Sequence, residues 1–190
     1  KTFHAKSHDN PHISMEALRD ITLDMTLESY RREILAEDDD IERNWMVYGM
    51  FRDETQLKDP IPLYDWPRYV FHDFGKANPA ALFVVQDPGT GFFWIYDEYL
   101  PGPGRSIYEH TEEWKKRTKG SNVVLRIGGN KNTEDEIRQG YSAHGWPITE
   151  PKWKPPYQIQ LTQLMMERNK IFIFKTLHNL RDELANYLWD

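Results

Sequence analysis

Apolar positions between Tyr69 and Leu100 fall into three blocks divided by turn-forming residues, in the stretch YVFHDFGKANPAALFVVQDPGTGFFWIYDEYL. The first block ends in an acid, Asp73, followed by Phe74 and Gly75. The second, Pro79 to Gln86, is a continuous apolar run of the kind expected for a strand buried on both faces. Asp87-Pro88-Gly89-Thr90-Gly91 then supplies a turn, because proline presets φ and glycine tolerates positive φ. The third block, Phe92 to Tyr99, is rich in aromatics and carries the acidic pair Asp97 and Glu98 near its end. The pattern predicts an antiparallel three-strand meander.

Further along, strands and helices alternate. Ser106 with Glu109 has capping-box spacing and predicts a helix to about Arg117. Asn122 to Ile127 reads as a fourth strand, and Gly128-Gly129-Asn130-Lys131-Asn132 as a tight loop. Thr133 with Glu136 is a second box, opening a helix to His144. A short strand over Trp146 to Thr149, a helix over Tyr157 to Asn169, a strand over Ile171 to Phe174 and a closing helix over His178 to Trp189 complete the reading. Strands paired first as a meander and then interleaved with helices imply an α/β fold, a mixed sheet flanked by helices.

The first 59 residues read differently. Ser14 has the position of an N-cap, after the loop residues Asp9 to Ile13, and Met15, Leu18, Ile21 and Met25 recur at near-helical spacing, so they are expected to form a buried face. Thr26 is placed to cap a second helix through Tyr30, Ile34 and Leu35, which the acidic run Glu37 to Asp40 closes. The proline-studded stretch Asp59 to Pro67 reads as an extended linker. The expected division is therefore a helical segment, 1–59, and an α/β domain, 60–190.

Composition narrows the function classes. With 190 residues, 39% of them hydrophobic, the chain can bury one sizeable core. No apolar run approaches the roughly 18 residues of a membrane span, so no membrane partner is expected. The absence of cysteine excludes disulfides and thiolate metal sites. A net charge of −6 argues against a general nucleic-acid binder, yet clustered active-site acids lower the total charge while separate basic loops track phosphates. Lys115-Lys116-Arg117, Lys131 and Lys152-Trp153-Lys154 are such basic stretches; the last, an aromatic between two lysines beside Pro155-Pro156, is the best DNA-contact candidate.

A carboxylate ending a core strand that opens a meander resembles the start of ribonuclease H-like nucleases. The likeness extends further. HDNPHIS, ESYRREILAE, the meander, RIGGNKNTEDEIRQGYSAHGWPITEP, NKIFIF and LHNLRDELANYLWD together resemble the C-terminal nuclease part of the large terminase subunit, the DNA-packaging motor protein of tailed bacteriophages. The resemblance implies a ribonuclease H-like endonuclease that cuts concatemeric DNA with two Mg²⁺ or Mn²⁺ ions. It also implies an ATPase domain upstream, a small terminase subunit, portal and double-stranded DNA as partners, and a location in the host cell cytoplasm at the viral procapsid.

Three acids are implied. Asp73 matches the first, at the end of the first nuclease strand. The second would end the fourth strand, where this sequence has Gly128-Gly129; Glu134 is the nearest replacement, with Glu98 and Asp97 in reserve. The third is expected on a helix after the Leu180 to Trp189 stretch. No matching motif occurs before Asp190, so the domain is expected to be truncated at its C-terminus, with Asp182 and Glu183 as alternatives. Metal ligation is thus assigned to Asp73, Glu134 and Glu98, and DNA contact to Lys131, Lys152 and Lys154. His8 and His12 flank a proline in a loop and make a poor zinc pair, and His72 is expected to point away from Asp73 because strands alternate sides. Gly128-Gly129 lacks the lysine of a phosphate loop. The rival reading is a docking module of the same motor, gripping DNA or portal without cutting. A recombinase or junction resolvase of the same fold is a third possibility, against which the DNPH segment speaks.

Overall fold

The computed structural model describes Ser7, Asn10 and residues 12–23, 25–26, 30–34, 46–75, 79–130 and 133–189. Leu35, the acidic run 37–40, His8 and Lys131 lie outside the described residues.

Among the described residues six strands form one sheet: β1 (Leu57–Lys58), β2 (Arg68–Asp73), β3 (Ala80–Gln86), β4 (Phe93–Tyr99), β5 (Val123–Gly128) and β6 (Ile171–Phe174), in the order β1-β6-β4-β3-β2-β5. The meander β2-β3-β4 forms as its turn chemistry predicts, with antiparallel pairing throughout. β5 joins β2 in parallel, β6 joins β4 in parallel, and β1 joins β6 in parallel. Only β3 therefore runs against the others, and the C-terminal ends of β2, β4, β5 and β6 share one edge. All of the candidate acids lie at or near that edge.

The described helices are α1 (Met15–Thr22), a single turn α2 (Asp53–Gln56), α3 (Ile107–Arg117), α4 (Asp135–Ala143), α5 (Pro155–Glu167) and α6 (His178–Asn186), and α3 to α6 cover the two faces of the sheet. On one face Val70, Phe83 and Tyr99 meet Trp114 of α3, Tyr141 of α4 and Trp146. On the other, Ile171, Ile173 and Phe174 meet Met166 of α5 and Leu180 and Leu184 of α6, and partly buried Leu82 joins them. Fully burying one such large apolar side chain stabilises by about 1.5–3 kcal/mol, so each layer is held by its aromatic and aliphatic contacts rather than by its loops.

Local signals were obeyed where nothing competed with them. Ser14 Oγ accepts from the Ala17 N–H at 3.1 Å and starts α1. The Ser106–Glu109 capping box forms in full: Ser106 Oγ accepts from the Glu109 N–H at 3.3 Å, and Glu109 Oε2 accepts from the Ser106 N–H at 2.8 Å. Other expectations need correction. Of the apolar stripe on α1, only Leu18 is buried; Met15 and Ile21 are 69% and 58% exposed, since no described element covers that face. Of the second helix expected after Thr26, the described residues Tyr30–Ile34 are π-helical, and the Tyr30 N–H donates to the Thr26 carbonyl at 2.9 Å. The Thr133–Glu136 box does not form, because Glu134 takes the N-cap position of α4 and its side chain turns back to Asn130. Trp146 to Thr149 contributes a single bridge, Thr149 to Ile127, rather than a strand. The closing helix ends at Asn186, where Tyr187 turns extended and Leu188 bridges to Met46. β1 was missed altogether, since two residues carry no period.

Candidate functional site

Register fixes which acids share a face. Phe71 pairs with Leu82 and Leu82 with Glu98, while Asp73 lies two residues beyond Phe71 and pairs with Ala80. Cross-strand partners point to the same side, as do residues two apart, so Asp73 and Glu98 face the α6 layer. Asp73 is exposed and, among the described residues, forms no hydrogen bond or ion pair.

Glu98 is held firmly. One carboxylate oxygen accepts from the Asn179 N–H at 3.2 Å and Asn179 Nδ2 at 3.0 Å; the other accepts from the Leu180 N–H at 2.8 Å. These are the otherwise unsatisfied donors of the first turn of α6, so Glu98 caps that helix from a neighbouring strand. Its neighbour Asp97 points the other way. Both Asp97 oxygens accept from Arg117 Nη1, at 2.8 and 2.7 Å, and Arg117 Nε donates to Glu113 at 3.0 Å. The reserve pair read from the sequence is thus split between the two faces of the sheet.

Capping by Glu98 sets the position of α6, which delivers a further acid. The Glu183 carboxyl is pushed above its ordinary range by burial first, then by the negative charges of Glu98 and Asp73. The charges of Glu98 and Asp73 thus both reach Glu183. The sequence offered Glu183 only as an alternative third acid, beside Asp182. The signal that could have promoted it is its place between the buried Leu180 and Leu184, on the flank of the stripe that docks α6.

Glu134 sits elsewhere. Its carboxylate accepts from the Asn130 N–H and lies against Gly129. The buried Arg138 secures the same loop by donating to the carbonyls of Gly128 and Asn130, each at 3.1 Å, and to Asp135 at 2.6 Å. Sequence reading gave no hint of Arg138. The two glycines have a packing reason: a Cβ on Gly128 would stand 2.3 Å from the His72 carbonyl oxygen, and one on Gly129, at φ +73°, would stand 2.4 Å from the Phe74 ring. No side chain, acidic or otherwise, fits at the end of β5.

His72 points away from Asp73, as strand alternation predicts, and is buried against Trp114 and Trp146. Its Nε2 accepts from Trp146 Nε1–H at 3.2 Å, which puts the proton of the neutral ring on Nδ1. Burial first, and the positive charge of Arg126 second, push this imidazole down to about 3. In the unfolded chain it would protonate near its ordinary 6.5. The stability contributed by keeping it neutral is therefore complete above pH 6.5 and is lost as pH falls towards 3. Between pH 7 and pH 5 the wild type should lose about 2 kcal/mol more than a His72→Gln variant in urea unfolding. Parallel pH profiles for the two proteins would contradict the buried neutral histidine.

Lys152, Trp153 and Lys154 are all exposed, in the segment that enters α5. The Thr149–Ile127 bridge ties that segment to the end of β5, which places it at the same edge of the sheet as Asp73.

With this geometry established, solved structures provide the comparison. The large terminase of a thermophilic bacteriophage superposes with a TM-score of 0.75 at 16% identity, covering 99% of this chain and 48% of that one. The chain has the fold of a large terminase nuclease. The nuclease of the large terminase from thermophilic phage G20c, with bound magnesium, gives a TM-score of 0.57 at 18% identity, covering 77% of this chain and 82% of that one. The g2p (large terminase) nuclease domain from bacteriophage SPP1, with bound Mn, gives 0.54 at 16% identity, covering 71% and 79%. No protein-family model and no curated protein sequence matches the chain. The chain spans about half the length of the first of these structures.

Among the described residues, no group of three His, Asp or Glu side chains is close enough to enclose a metal ion. The donor chemistry nevertheless fits a hard divalent cation. Among the described residues Asp73 has no hydrogen-bond or ion-pair partner, and Glu183 is disfavoured as an anion first by burial and then by two other carboxylates, a repulsion that a cation would relieve.

Proposed function

We propose that this chain is the DNA-cutting part of a viral packaging terminase, a divalent-metal-dependent endonuclease that hydrolyses phosphodiester bonds of concatemeric DNA. The observation that carries the reading is Asp73. Without a hydrogen-bond or ion-pair partner among the described residues, it stands at the end of the first meander strand, on the face of Glu98 and α6, within a terminase nuclease fold. Asp73 is the central metal ligand, Glu183 and Glu98 stand beside it, and Glu134 remains the candidate from the β5–α4 loop. When bound, two Mg²⁺ or Mn²⁺ ions would supply an activated water and charge neutralisation at the leaving oxygen. The chain's own contribution is positional: Glu98 fixes α6, α6 presents Glu183, and Lys152 and Lys154, with Lys131, contact the DNA backbone. The proposed partners are double-stranded DNA, an ATPase domain of the same protein, the small terminase subunit and the portal, at the procapsid in the host cytoplasm.

The rival, a non-cutting docking module of the same motor, draws support from the packing of Gly128 and Gly129, which bars an acid from the end of β5. Calorimetric titration with Mn²⁺ alone separates the two. The nuclease reading expects binding that Asp73→Asn removes; a folded protein that binds no Mn²⁺ would favour the docking module.

A further inference from the structure

The entry to α5 breaks two local rules at once. Helix N-termini favour acids and side-chain caps, because the first-turn N–H groups carry positive partial charge. Here the N-cap is Lys154, it makes no capping hydrogen bond, and the first turn contains no acid. On either side of it, Trp153 before the helix and Tyr157 in its first turn, stand two large aromatic rings, 48% and 50% exposed, with ring centroids 5.5 Å apart. Lys152 Nζ lies 5.2 Å from the Trp153 ring centroid. Neither lysine has a carboxylate within salt-bridge distance among the described residues. Gln158 Nε2 donates to the Trp153 carbonyl at 2.5 Å, tying the backbone of the turn to the helix.

We infer that Trp153 and Tyr157, flanked by Lys152 and Lys154, form a stacking platform for unpaired nucleotides. An exposed aromatic pair offers π-faces to bases of any sequence, and two uncompensated cations beside it match the phosphates between those bases. A protein partner would find the same rings, but a chain of net charge −6 that concentrates free cations around them selects a polyanion. Its place at the Asp73 edge of the sheet gives the platform a use: it holds a frayed end or a displaced strand beside the acids. That use rests on the nuclease reading; the binding itself does not.

The test is fluorescence anisotropy in EDTA with a labelled oligothymidylate of about ten nucleotides, and with a blunt duplex of matched length. Trp153→Ala and Tyr157→Ala should each weaken oligothymidylate binding about tenfold or more and leave duplex binding nearly unchanged, while Trp153→Phe keeps most of the affinity. Lys152→Ala with Lys154→Ala should lower the salt dependence of oligothymidylate binding by about 1.4 in log–log slope. Wild-type affinity in both alanine variants, or equal losses on both probes, would overturn the platform. If oligothymidylate binds as described but plasmid is never cut, the nuclease reading fails and the platform stands. If plasmid is cut but the variants bind like wild type, the reverse holds. Capture of a protein partner by the same rings, with no oligothymidylate binding, would also overturn the platform.

Discussion

Asp73→Asn should abolish metal-dependent cleavage and leave the fold intact. The side chain is exposed and has no hydrogen-bond or ion-pair partner among the described residues, so the substitution breaks no described contact that stabilises the sheet. What it removes is the carboxylate at the end of β2, on the face where Glu98 is bound to the backbone of α6. If Asp73 anchors the metal, its loss withdraws several kcal/mol of charge stabilisation, a fall of at least about a thousandfold in rate. Unchanged circular dichroism and unfolding midpoint with cleavage lost is the expected pattern. Retained cleavage in a folded Asp73→Asn protein would move the chemistry to another residue.

Gly128→Ala should be strongly destabilising. The new methyl would stand 2.3 Å from the His72 carbonyl oxygen and 2.6 Å from His72 Cβ. Neither can retreat without breaking the β2–β5 pairing, in which His72 faces Gly128, or disturbing the aromatic layer around Trp114. Overpacking typically costs about 1–3 kcal/mol, and an overlap this close to backbone puts the loss at about 3 kcal/mol or above; Gly128→Asp should be no better. Gly91→Ala is the useful comparison, because its Cβ would meet nothing within 4 Å and only its φ of +72° is unfavourable. That alone costs about 1–2 kcal/mol. Urea unfolding should rank Gly128→Ala well below Gly91→Ala. Equal losses would mean that the end of β5 has room for a side chain, and the packing reason for the missing acid would be withdrawn.

The meander was legible because three apolar blocks met turn residues that allow few other connections, and Ser106–Glu109 because a capping box needs only its own four residues. Period-based reading failed where a neighbour decides. The stripe on α1 names an apolar face, but Met15 and Ile21 stay in water because periodicity cannot say what will cover it. Thr133–Glu136 had the right spacing and lost to Glu134, which turns back to Asn130. The site divides the same way. Asp73 was legible as an acid ending an apolar strand. Asp97 and Glu98, adjacent in sequence, looked alike until the pleat sent one to Arg117 and the other to α6. Glu183 is separated from Asp73 by more than half the chain, and only the docking of α6 reveals their repulsion.

The most direct measurement is nicking of supercoiled plasmid by the protein in Mn²⁺, run beside EDTA and Asp73→Ala controls. Relaxed and linear products that vanish in EDTA and in the variant are the predicted result. A folded wild-type protein that leaves the plasmid supercoiled in Mn²⁺, or a variant that cuts as well as wild type, would contradict a nuclease centred on Asp73.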